Sequence, residues 1–152
     1  MKPELFLQKS LDYAKELKKM KAKGVKVGIT KETASSRVYG NGWTVLQNGI
    51  AHEFGYGVPE RSFIRLPFRL KRAEIKKAID AEFNRILEGK SGAEKSLNLI
   101  GITARNISVM AFRTQGYGNW PALDDATIAA KGSDKPLIDK GILRNAITWE
   151  VD

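Results

Sequence analysis

The sequence predicts an α+β fold: several amphipathic helices packed on a small, mainly antiparallel sheet of three or four strands. Three observations predict it. Apolar residues recur at helical spacing in four separate stretches. Two alternating pentads, 25–29 and 147–151, lie near the two ends of the chain and read as strands. The 152 residues contain no internal repeat, low-complexity tract or evident linker, so one domain is expected. A small sheet covered by helices on one side is a stable way to bury such elements.

The elements follow in order. Pro3 suits the first turn of a helix, where its missing N–H costs nothing. Leu7, Leu11, Ala14 and Leu17 then share one face, and Gly24 is placed to end that helix. Val25-Lys26-Val27-Gly28-Ile29 alternates as a strand does. Residues 30–43 are polar and glycine-rich and predict a turn, a long loop or a hairpin. Thr44 and Gln47 form a capping box for a helix over 45–54, with Leu46, Ile50 and Phe54 on one face and Gly55 as its stop. Pro59 holds Val58 out of the helical region, so 57–63 is extended or turning.

Pro67 opens a long helix to about Leu87, with Phe68, Ile75, Ile79, Phe83 and Ile86 on its apolar face. Ser91 and Glu94 form a second capping box. The next helix carries Leu97, Ile100, Ala104, Ile107 and Ala111 on one side and Ile102 and Val109 on the other, so burial on more than one face is expected. Gly101 in its middle predicts close packing against a neighbour. Residues 116–121 form a loop, 125–130 a short helix, and 132–136 a second loop. Asp139 is placed as N-cap of a last helical turn through Arg144, before the strand Ile147–Val151.

Composition narrows the function. One histidine and no cysteine exclude disulfides, thiolate metal sites, iron–sulfur clusters and cysteine nucleophiles. The apolar runs fall well short of the roughly 20 residues of a membrane span, and the first residues do not read as a secretory signal. The net charge is +9, and it is concentrated. Residues 1–26 hold eight lysines against three acids, and residues 61–90 hold nine Lys and Arg against four acids. Such clustering fits nucleic acid, an acidic protein partner, or a merely solvated helix face.

No stretch carries catalytic chemistry. His52 and Glu53 are adjacent, so their side chains diverge by about 100° on a helix, and the position four residues after His52 is Tyr56. His52 reads instead as a helix-end residue near the C-terminal dipole. Gly40-Asn41-Gly42 and Gly116-Tyr117-Gly118 lack the following Lys-Ser/Thr of a phosphate loop. Asp124-Asp125 reads as a helix start rather than a cation site. No enzyme activity, cofactor or metal is expected. The loop aromatics Trp43, Tyr56, Phe63, Tyr117 and Trp120, with Arg61, Arg65 and Arg113, have the composition of a protein interface. They are equally the composition of lids folded back on a small core, and less readily of a base-stacking surface.

Three segments together resemble one family. They are Ile50-Ala51-His52-Glu53-Phe54-Gly55 with Val58-Pro59-Glu60-Arg61-Ser62-Phe63-Ile64; Trp120-Pro121-Ala122-Leu123 with Thr127 and Lys131; and Pro136 through Ile147, which includes Asp139, Gly141, Leu143 and Arg144. In this order they resemble the virion morphogenesis and tail-completion proteins of tailed bacteriophages, including Mu-like prophages. Lys140 and Ala146 depart from the threonine and serine usual in that family. The resemblance implies a single tail-completion or neck-like domain over 1–152, with an N-terminal basic helix at about 3–23. It implies a structural role, completing the tail or joining it to the head. It also implies a closed, sixfold ring in contact with head-connector, neck, tail-tube or terminator proteins, the basic helices facing either acidic neighbouring rings or the packaged DNA. The location implied is the virion neck or tail, assembled in the bacterial cytoplasm, with no membrane partner. A basic nucleic-acid-binding protein is the alternative reading.

Overall fold

The structure, a computed structural model, describes residues 3–34, 39, 40, 42–137 and 141–152. Its elements are α1 (Pro3–Ala22), β1 (Val25–Ile29), α2 (Lys31–Ala34), α3 (Val45–Phe54), α4 (Arg65–Leu70), α5 (Arg72–Leu87), α6 (Ala93–Arg113), α7 (Gln115–Gly118), α8 (Asp125–Lys131), α9 (Ile142–Asn145) and β2 (Ile147–Val151). The protein is α+β and mostly helical, with a small antiparallel sheet. Among the described residues that sheet has two strands, not three or four. β1 pairs with β2 in the register Val25↔Val151 to Ile29↔Ile147, so the segment after α1 meets the last strand. Lys26 Nζ lies 2.6 Å from Asp152 Oδ1, and the hydrogen bond to that carboxylate raises the Lys26 pKa.

α6 is the central element. Leu97, Ile100, Ala104, Ile107 and Ala111 are all buried, as the spacing predicts. Ser96, Gly101, Ser108 and Phe112 are buried too, so the helix is covered on more than one side, although Ile102 stays exposed. Gly101 lies directly under the Trp149 indole of β2, where a β-carbon would overlap the ring. The missing side chain lets strand and helix approach, and Trp149 Nε1 donates to Asn98 Oδ1 at 3.0 Å.

Local signals place most helix ends. At α3, Thr44 Oγ1 accepts from Gln47 N, Gln47 Oε1 accepts from Thr44 N, and Gly55 closes the helix at φ 73°. Two expected caps differ. The N-cap of α6 is Gly92, and no Ser91–Glu94 box forms. Instead Glu16 of α1 reaches across and accepts from Ala93 N at 2.8 Å. That bond, after the stronger one from Lys19, holds the Glu16 carboxyl below its ordinary pKa. A carboxylate at a helix N-terminus is favourable whichever element supplies it. The N-cap of α9 is Gly141, at φ 68°; Asp139 lies outside the described residues.

The helix expected over 67–87 starts earlier and is broken. α4 begins at Arg65, and Lys71, with φ −104° and ψ 20°, separates it from α5. The apolar stripe of α5 is covered unevenly: Ile86 is buried, but Ile79 and Phe83 are exposed. α1 rests on α5 and α6 without burying any residue fully, and Leu5, Phe6, Leu7 and Leu11 face outward.

Candidate functional site

The three segments singled out by their residue patterns converge on one buried knot. Its centre is Glu53, in the last turn of α3 and only 6% exposed. Its carboxylate accepts from Ser62 Oγ at 2.8 Å, Phe63 N at 2.7 Å, Ile64 N at 3.0 Å and Arg65 N at 2.9 Å. Arg65 Nε adds a fifth bond at 3.1 Å. These backbone donors belong to the turn that enters α4 and have no helical acceptor of their own. One carboxylate satisfies them together, which explains why α4 starts before Pro67. The Arg65 guanidinium also bonds the Glu53 carbonyl and Glu60 Oε1.

Arg61 ties this turn to the second segment. It is 4% exposed, and its Nε and Nη2 donate to the carbonyls of Pro121 at 3.1 Å and Ala122 at 3.0 Å. Burial disfavours its charge and Asp124 favours it. Trp120 Nε1 returns the connection, donating to Ser62 O at 2.9 Å. Phe63, Phe112 and Trp120 form a chain of aromatic contacts with centroids 5.3 and 5.6 Å apart. Leu143 of the third segment packs into the same core. Trp120 fits because Gly116 lacks a side chain beneath it. There the α7 backbone is left-handed, with positive φ at Gln115, Gly116, Tyr117 and Gly118. Gln115 and Tyr117 hold a conformation costly for side-chain-bearing residues. Tyr117 is anchored by its hydroxyl to Ile107 O at 2.9 Å and by the Lys71 ammonium 5.0 Å from its ring centroid.

Three of the eight residues expected at an interface are therefore interior. Arg61, Phe63 and Trp120 direct their polar atoms to backbone carbonyls, or their rings into the core, and present no face to a partner. Trp43, Tyr56, Arg65 and Arg113 are at the surface, and Tyr117 is half-buried. Of the motif residues, Glu53, Gly141 and Leu143 are buried, His52, Gly55 and Arg144 are half-buried, and Phe54 and Pro59 are exposed.

The outer side of α3 forms an apolar exposed surface near the knot. Leu46, Ile50 and Phe54 share one face, yet each is 39–45% exposed. The helix turns Val45, Gly49 and Glu53 inward instead. Gly49 allows this: Ile29 and Leu143 press against the place a side chain would occupy. Tyr56 stacks on Phe54 at 5.7 Å, and the Arg65 guanidinium covers the Phe54 ring at 4.4 Å. The stripe was visible in the sequence as an i, i+4, i+8 pattern; the competing inward set, with its glycine and glutamate, hid its exposure.

His52 faces a cavity of about 220 Å³ shared with Asn48, Arg61, Thr127 and Lys131. Burial first, then Arg61 and Lys131, push its pKa down to about 4. The imidazole is therefore neutral at pH 7 and contributes no positive charge to the α3 C-terminal dipole. Among the described residues its buried Nδ1 has no hydrogen-bond partner.

Four of the described basic side chains of α1 and α5 are paired within their own helices: Lys15 with Asp12, Lys19 with Glu16, Lys76 with Asp80 and Arg85 with Glu82. Among the described residues Lys9, Lys18, Lys23, Arg69, Arg72 and Arg113 form no ion pair. No helix of the described residues is long and apolar enough to cross a membrane, and no three of their His, Cys, Asp or Glu side chains group as metal ligands. No family model, curated protein or solved structure matches the chain.

Proposed function

We propose that this chain is a structural assembly protein, not an enzyme, whose function is to join other protein surfaces. More particularly, it is a virion component of a tailed phage or prophage that completes the tail or joins it to the head as a ring in the neck. The observation that carries this reading is the Glu53–Arg61–Trp120 knot. The segments that resemble tail-completion proteins are joined here by buried hydrogen bonds and core packing, so the shared pattern describes an architecture. The exposed α3 stripe supplies a contact surface of the kind such a ring needs, since a heterologous patch repeated around an axis closes into a ring.

The test is electron microscopy of lysates from the parent phage or prophage with this gene deleted. Filled heads beside detached tails, or tails of abnormal length, are the expected result. Normal infectious particles would overturn the reading.

The unpaired cations of α1 and α4–α5 favour one second reading, contact with nucleic acid. It predicts a gel shift at physiological salt with an affinity that falls steeply as salt rises. No shift at micromolar protein would dispose of it.

A further inference from the structure

The sheet has an unfinished edge. Asp152 N donates to Gly24 O at 3.0 Å, and this pair continues the β1–β2 register. Hydrogen-bonded pairs alternate in an antiparallel ladder, so Lys26 and Gly28 are the residues of β1 that bond β2. The peptide groups of Val25 and Val27 therefore point away from β2, and among the described residues they have no hydrogen-bond partner. Beside them runs an apolar groove of about 330 Å³. Leu97 and Ile100 of α6 form its floor, and Phe68, Ile75 and Ile79 form its far wall. The side chains of Val25 and Val27 line the near wall. The unpaired backbone and the groove lie side by side, because the side chains of Val25 and Val27 line the groove.

We propose that this edge and groove receive an extended segment of another protein, added to β1 as a third strand, with apolar residues at alternate positions and acidic residues between or beside them. Strand addition explains both. The incoming backbone would satisfy the Val25 and Val27 groups, and every second side chain would enter the groove. Charge selects the partner. Lys23 lines the groove, and Arg69, Arg72 and Lys76 stand around the adjoining depression that shares Ile75 and Ile79. Lys23, Arg69 and Arg72 have no ion pair among the described residues. A second copy of this chain would bring the same basic α1 and α5 against this rim, and its own alternating segments, 25–29 and 147–151, are already paired with each other. An acidic segment meets neither obstacle. The inference goes beyond the virion reading and does not require it.

The test uses the full chain and a fluorescently labelled nine-residue peptide of alternating glutamate and valine, with a lysine-for-glutamate peptide as control. Anisotropy should show binding of the acidic peptide that weakens with added salt, and little binding of the basic one. Hydrogen exchange should slow at the Val25 and Val27 amides when the acidic peptide is bound. Val27→Pro removes an outward N–H without touching the β1–β2 bonds, and Ile79→Glu places a charge in the groove at a position already 40% exposed. Each should weaken binding about tenfold or more. Should Val27→Pro impair folding, Ile79→Glu carries the comparison alone. Equal binding of both peptides, unchanged affinity in the folded variants, or no new protection at Val25 and Val27 would overturn the proposal. So would a dimer of the free protein that Ile79→Glu abolishes, because the occupant would then be a second copy.

Discussion

The buried carboxylate of Glu53 accepts the backbone amide of Phe63 at 2.7 Å, the shortest of the bonds by which this side chain joins the end of α3 to the turn that carries the core aromatic Phe63. Ten residues separate the two, and the chain between them closes on itself through Arg61 N, which donates to His52 O at 2.8 Å. The motif residues are close in sequence because they build one compact loop. The loop then grips the 120–122 segment through Arg61 and Trp120.

Glu53→Gln tests the knot. The amide keeps the shape but loses the charge and cannot accept all the bonds of the carboxylate. A loss of about 2–4 kcal/mol in unfolding free energy is expected, with Arg65 left beside a neutral group. Urea denaturation read by Trp fluorescence checks it; a loss under about 1 kcal/mol would contradict the central role of Glu53.

Gly101→Ala separates helix propensity from packing. In an exposed helix this change gains up to about 1 kcal/mol. Here the new methyl overlaps the Trp149 indole, and overpacking should reverse the sign to a loss of about 1–3 kcal/mol. Combining it with Trp149→Leu should relieve the clash, so the double variant should lose less than the two single losses together. Strict additivity would place the strain elsewhere.

His52 should make stability fall with acid. Its folded pKa, about 4, lies below its ordinary value of 6.5, so the unfolded chain binds the proton more readily. The contribution is complete above pH 6.5 and is lost as pH falls from there toward 4. Because the ring is only partly buried, it amounts to roughly 1–2 kcal/mol after allowance for solvent screening. Thermal melts across this range, compared with His52→Gln, isolate it: the variant should lose less stability between pH 6.5 and 4, and parallel curves would refute the assignment.

The exposed α3 stripe should matter to assembly and not to folding. Leu46→Gln with Ile50→Gln removes apolar surface that already faces water, so stability should stay within about 0.5 kcal/mol. Sedimentation of the variant, and its failure to complement the deleted gene, would assign the stripe to a partner. Full complementation would leave it without that role.

Local chemistry was readable in the sequence wherever neighbouring residues decide it. The Thr44–Gln47 box, the Gly55 stop, the Asp124 start of α8, the inward face of α6 and the two terminal strands need only residues a few positions apart. The tertiary structure alone decided what each face meets. It turned Leu46, Ile50 and Phe54 outward because Gly49 and Glu53 fit closer to the core. It drew Arg61, Phe63 and Trp120 inward because their donors and rings find partners some fifty to sixty residues away. It capped α6 with Glu16 rather than Ser91 and left β1 with an open edge. A cap is satisfied by any acceptor in reach, and burial depends on which surfaces arrive to cover a face. Periodicity describes one element at a time and contains neither fact.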